Sequence, residues 1–289
     1  MDLIWKTPMT RSGQERLCRE VDTRTAGDLT WFSFGRSILG EPLLCAKRGQ
    51  GSPTVLFVGV HHGMEHLTGN LLYAFLAAEA SPLGTCYVVP CLNPDGAALE
   101  LGGWDAASPL AERQLRMNGG SRDFSRWQAN ARGVDLNHNY PAGFDAYRAV
   151  ERALGIEGGA PTRYSGEYPL SEPETQALMG LIDILAPDAV LTLHTQGREL
   201  FWGAAPPRRT RLWGQLLARR VGYCIGAPTG AAAYGGLTDT LAEREIPALT
   251  VECGLGVNPL PSYLLPTLWQ EVSPLLIHAA DCLEYVNKL

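Results

Sequence analysis

Residues 54–66, Thr-Val-Leu-Phe-Val-Gly-Val-His-His-Gly-Met-Glu-His, decide the reading of the fold. Thr54 to Val60 is a short apolar, β-branched run, the pattern of a strand covered on both faces. Directly after it the chain turns polar, and Leu67 to Ala80 predicts a helix. The same pattern recurs outward along the chain. Cys86–Cys91 and Ala189–Leu193 read as buried strands, the second ending at His194, and Ala248–Glu252 as another. Residues 29–48 predict two strands joined by a turn at Gly40. Ser171-Glu172-Pro173-Glu174 has the form of a capping box opening a helix to Leu185. Further helices are expected over 212–220, 239–245 and 266–286, a turn at Asn93-Pro94-Asp95-Gly96, and a long loop over 102–132. Strands alternating with helices imply an α/β fold whose largely parallel sheet is sandwiched between helices. No linker interrupts residues 1–289, so a single domain is expected, with about 1–28 as an N-terminal extension packed on it.

Composition narrows the function. Of the residues, 45% are hydrophobic and 19% charged, a balance that excludes a disordered or fibrous chain. A net charge of −6 disfavours nucleic acid and anionic membrane as partners. The seven cysteines are odd in number, scattered and without CxxC spacing, so they read as reduced thiols. The first residues lack an apolar signal segment and no run is long enough to span a membrane, so the expected place is the cytoplasm. Oligomeric state is not legible.

In open α/β sheets, ligands bind beyond the carboxyl ends of the strands. Three such ends carry chemistry here: His62 with Glu65, His194, and Glu252. Zinc accepts imidazole nitrogen and carboxylate oxygen, and catalytic sites use three protein ligands plus water. His62, Glu65 and His194 make a His2Glu set for one zinc per chain. A competing pattern, His62-x-x-Glu65-His66, would place both histidines on one helical face with Glu65 as base. That requires a helix through Gly63 directly after a buried strand, and glycine is a poor interior helix residue.

Gly59–Glu65, Asn93–Gly96, Gly133-Val134-Asp135-Leu136-Asn137, Leu193–Gly197 and Thr250-Val251-Glu252, in this order and spacing, resemble the zinc carboxypeptidases related to carboxypeptidase A. Leu193–Trp202 and Glu252–Pro261 are most similar to the bacterial γ-D-glutamyl-diaminopimelate endopeptidases. The resemblance implies a mixed, mainly parallel sheet in a single domain. It implies zinc on His62, Glu65 and His194, Glu252 as general base, and hydrolysis of an amide bond in an anionic murein stem peptide. Asn137 matches a position that binds the substrate carboxylate. His138 stands where the family has a carboxylate-gripping arginine, and Gln128 where it has a cation for the oxyanion. Arg116, Arg126 and Arg132, on the same loop, are candidate replacement cations. The family's closing tyrosine does not align: that position is Ala231, and the nearest phenol is Tyr234. Thr238 matches a specificity position. Five arginines within 113–132 suit an anionic substrate. Two other readings share these residues: an aspartoacylase-type zinc deacylase, and a zinc-holding binding module without activity.

Overall fold

A computed structural model describes residues 1–26, 28–79, 83–227 and 233–289. Its chain order is α1 (Asp2–Lys6), α2 (Arg11–Thr25), β1 (Leu29–Arg36), β2 (Pro42–Gly49), β3 (Thr54–Val58), α3 (Leu67–Leu76), β4 (Thr85–Val89), α4 (Pro94–Glu100) and α5 (Ala111–Met117). There follow α6 (Phe144–Ala153), α7 (Pro173–Leu185), β5 (Ala189–His194), β6 (Glu199–Phe201), α8 (Arg208–Val221), β7 (Cys224–Ile225), α9 (Leu237–Glu243), β8 (Ala248–Glu252), α10 (Leu265–Ile277) and α11 (Ala279–Asn287). Short 3-10 turns at Gly63–Glu65 and Leu136–His138 carry candidate site residues.

The eight strands form one mixed sheet in the order β1-β2-β4-β3-β5-β8-β6-β7. Its centre, β4-β3-β5-β8, is parallel, and the β1, β2 and β6 pairings with their inner neighbours are antiparallel. The two-residue strand period sorts the apolar side chains to opposite faces. Val55 and Phe57 of β3, Leu191 of β5 and Val251 of β8 pack with α2, α3, α8, α10 and α11. Leu56 and Val58 point the other way, against Leu178 and Ile182 of α7 and Leu237 and Leu241 of α9. These β3 side chains are wholly buried, and each contributes about 1.5–3 kcal/mol on that account. The N-terminal segment is part of the helical layer: Ile4, Leu17 and Val21 lie in the first core, and Asn70 Nδ2 donates to the carbonyls of Ile4 (2.7 Å) and Thr7 (3.0 Å).

Several local expectations are corrected. Asn93-Pro94-Asp95-Gly96 opens α4 instead of forming a free turn. Asn93 Oδ1 accepts from Gly96 N–H (2.9 Å), while its Nδ2 donates to the carbonyls of His61 (3.1 Å) and Ala129 (3.2 Å). The Ser171–Glu174 capping box does not form. Ser171 Oγ donates to Glu172, and Glu174 is buried, accepting from Ile38 N–H (3.1 Å). The 266–286 helix breaks at His278 into α10 and α11, with Pro274 withdrawing one N–H from the ladder a turn earlier. The 102–132 loop contains α5, and α6, β6 and β7 were not expected. Of the expected 67–80 helix, α3 ends at Leu76 and Ala80 lies outside the described residues.

Gly63, in the turn after β3, sits where a Cβ would lie 2.5 Å from the Gly96 backbone and 2.9 Å from the Trp127 carbonyl. Backbone on two segments cannot yield cheaply. Gly63→Ala is expected to destabilise the protein by about 1–3 kcal/mol, the scale of overpacking. Gly180→Ala, in α7 with nothing within 4 Å of its Cβ, should be neutral or stabilising. Paired thermal melts of the two variants test this, and equal melting temperatures would contradict the close packing at Gly63.

Candidate metal centre

The β3–β5 boundary is where the chain changes direction across the sheet: β4 lies on one side of β3, and β5 then β8 on the other. Carboxyl ends of parallel strands meet there, and so do the candidate residues. Val60 leads into the site at φ +53, a left-handed conformation that is an outlier for a β-branched residue. It is held by its N–H on Thr68 Oγ1 (2.9 Å) and its carbonyl on Asn93 N–H (3.0 Å). The turn that follows points His62 and Glu65 inward and carries His66 away, to 2.8 Å from Glu100. His62 Nδ1 lies 3.0 Å from Glu65 Oε1, and His194 Nδ1 lies 3.1 Å from Glu65 Oε2. The two Nδ1 atoms are 3.2 Å apart. All three side chains are buried, with potential ligand atoms within 4.8 Å of one another.

Neighbouring residues fix this geometry. His62 Nε2 donates to Asp135 Oδ1 (3.1 Å), which turns Nδ1 toward Glu65. Asp135 also accepts from Asn137 N–H (3.2 Å), Gln128 Nε2 (2.9 Å) and Arg163 N–H (3.2 Å). Glu65 accepts from Thr195 N–H (3.2 Å) and Asn258 Nδ2 (3.2 Å). Burial alone would raise the Glu65 pKa, but His62 and His194 bring it down to about 2. Burial would likewise raise Asp135, and His62, first among its partners, holds it well below the usual carboxylate range. Two buried carboxylates face two imidazoles, with no lysine or arginine side chain bonded to either carboxylate among the described residues. Such a set favours added positive charge. Its donors are the His2Glu combination of catalytic zinc, with the far nitrogen of His62 on a carboxylate as metal-bound histidines commonly are. The residues present fit zinc.

Glu252 ends β8 directly opposite His194 of β5. Its carboxylate has no hydrogen-bond partner among the described residues. Burial, and next the negative charge of Glu65, hold its pKa well above the ordinary value.

The other expected contacts divide. Asn137 is half-buried, Tyr234 exposed, and Thr238 half-buried in the first turn of α9. Three side chains are engaged elsewhere. Gln128 braces Asp135 through Nε2 (2.9 Å) and accepts from Thr162 Oγ1 (2.7 Å), so both ends of its amide are engaged within the protein. Arg132 pairs with Glu172 (3.0 Å) and donates to the Ser171 carbonyl (3.0 Å). His138 stacks on Tyr147 with ring centres 3.6 Å apart, and its Nδ1 meets the Tyr234 carbonyl at 2.8 Å. Burial lowers the His138 pKa, so it is a neutral packing residue and not a carboxylate clamp. Ala231 lies outside the described residues. Asp135, Thr195 and Asn258 were not expected as supports. Their signal was a carboxylate in apolar Val-Asp-Leu and polar residues beside His194 and after Glu252.

A sequence profile described as zinc carboxypeptidase matches residues 15–212, more than half of the chain. The chain belongs to the zinc carboxypeptidase family. It is 31% identical over 259 residues to gamma-D-glutamyl-L-diamino acid endopeptidase 1 of Lysinibacillus sphaericus, covering 82% of this chain and 64% of that protein. The chain therefore spans just under two thirds of that relative's length. It is 30% identical over 233 residues to murein peptide amidase A of Escherichia coli K12, covering 76% of this chain and 79% of that one. The fold resembles carboxypeptidase A of Helicoverpa armigera, with a TM-score of 0.72, 18% identity, and 97% of this chain and 74% of that chain covered.

His62→Ala and His194→Ala are each expected to abolish stoichiometric zinc retention, and His66→Ala to leave it intact. Asp135→Asn should weaken zinc about 10–100-fold, the usual effect of losing a ligand's outer partner. Metal content after dialysis and competition with a chromophoric chelator measure both. Zinc lost in His66→Ala but kept in His194→Ala would reassign the centre to the His62-x-x-Glu65-His66 pattern.

Proposed function

We propose that this protein is a zinc-dependent peptidase that hydrolyses an amide bond in murein-type peptides, γ-D-glutamyl-diaminopimelate or a related link. The observation that carries the reading is the meeting of His62, Glu65 and His194 with an unpartnered Glu252 at adjoining strand ends. The names of the Lysinibacillus and Escherichia relatives support the substrate class. When bound at His62, Glu65 and His194, zinc supplies a Lewis acid for the substrate carbonyl and for water.

Glu252 does the proton work. It accepts a proton from the attacking water and returns it to the leaving nitrogen as the C–N bond breaks, yielding a carboxylic acid and an amine. Its raised pKa suits a group that must hold a proton between the two steps. A cation beside Glu65 would offset part of that rise and keep Glu252 able to start as a base. Asp135 keeps His62 oriented throughout, and Asn258 and Thr195 do the same for Glu65. Substrate contacts are assigned to Asn137, Tyr234 and Thr238, whose side chains remain partly open. The seven cysteines, all unpaired, support a reducing, cytoplasmic setting. Among the described residues no helix is long and apolar enough to cross a membrane.

Glu252→Gln keeps size and shape but removes the proton acceptor. It should retain one zinc and lose about 10²–10⁴-fold in kcat, the contribution of a placed general base. Hydrolysis of a γ-D-glutamyl-diaminopimelate peptide, followed by amine release with and without chelator, measures it. A loss under about tenfold would remove Glu252 from this role.

A further inference from the structure

Arg132, Arg148 and Arg198 hold Glu172, Glu151 and Glu271. Arg163 differs from them. It is exposed, and its guanidinium has no carboxylate partner among the described residues. Its backbone stands at φ +65, a conformation uncommon outside glycine and a pointer to functional sites when held by its surroundings. That conformation sets its N–H on Asp135 Oδ2 (3.2 Å), the carboxylate that orients His62. Its carbonyl receives the Tyr147 hydroxyl (3.4 Å). The preceding Thr162 is tied to Gln128, which bonds the same Asp135 oxygen. Burial, and next the negative charge of Asp135, push the Tyr147 phenol up, while the charge of Arg163 acts in the opposite direction.

Both bonds made by Arg163 itself use its main-chain atoms. A glycine would make them equally well and would accept φ +65 without strain. The side chain therefore adds nothing to the turn. What it adds is a permanent, forked positive charge carried on a segment whose backbone is bonded to Asp135, the carboxylate behind His62, while Gln128 and Arg132 are engaged elsewhere. Guanidinium matches a carboxylate in charge and shape.

We propose that Arg163 is a specificity-determining residue whose guanidinium binds a free carboxylate of the peptide substrate on the Asp135 side of the metal centre. The inference rests on the anionic-peptide reading given above. Arg220, also exposed, lies in the last turn of α8 with no tie to Asp135, and it serves as the control.

The test uses the zinc-loaded full chain. Its substrates are a γ-D-glutamyl-diaminopimelate peptide as the free acid and a set amidated at one carboxylate each. Arg163→Gly should raise KM for the free acid about tenfold or more, the scale of a charge-assisted hydrogen bond, with kcat changed by less than about threefold. For one amidated peptide the wild type should already show that higher KM, and Arg163→Gly should add nothing. Arg163→Lys should recover part of the loss, Arg220→Ala should behave as wild type, and zinc content should stay constant. If Arg163→Gly lowers the melting temperature, Arg163→Asn, which also tolerates a left-handed backbone, carries the same comparison. Equal KM values for Arg163→Gly and wild type on every peptide would overturn the inference while leaving the murein reading intact. No cleavage of any peptide by the wild type would overturn the murein reading and this inference with it.

Discussion

The buried carboxylate of Asp135 is the interaction on which the site depends. It draws in the His62 imidazole, the Gln128 amide and the backbone N–H groups of Asn137 and Arg163. His62, Gln128 and Arg163, which lie 73, 7 and 28 residues away, are thereby fixed to the turn that carries Asp135. A buried carboxylate without such partners would be costly, so the bonds that make it tolerable also define the geometry. Its effect on His62 is directional: with Nε2 held, only Nδ1 is left to face Glu65 and His194.

The sheet makes that possible. Parallel strands β5 and β8 end at one level, His194 opposite Glu252, and β3 ends earlier, opposite Thr192, so that the turn after it carries His62 and Glu65 to the same rim. The tightness of the turn after β3 explains Gly63, and the left-handed Val60 shows backbone strain held where function is concentrated. The charge balance opposes burial: the facing imidazoles, His62 first, hold Glu65 and Asp135 toward the ionised form, and the donor set suits a divalent cation.

Much of this was legible in the sequence because it depends on local pattern. The apolar runs at 54–60, 189–193 and 248–252 are long enough to show a buried strand, and the residue after each run is then placed by topology alone. What was not legible depends on contacts across the chain. β6 and β7 are too short to show periodicity. The Ser171–Glu174 box has the right letters, but Glu174 is drawn into the interior by Ile38 N–H, a partner 136 residues away. Gln128, Arg132 and His138 sit at positions that suggested substrate, yet Asp135, Glu172 and Tyr147 claim their side chains. A motif position says which backbone is nearby and leaves the direction of a substituted side chain open.

The most direct measurement is anomalous diffraction at the zinc edge from crystals of the zinc-loaded protein. The account predicts one strong peak per chain, about 2.0–2.2 Å from Nδ1 of His62, Nδ1 of His194 and a Glu65 oxygen, with Asp135 still on Nε2 of His62. A peak between His66 and Glu100, or zinc on Nε2 of His62 with Asp135 released, would contradict it.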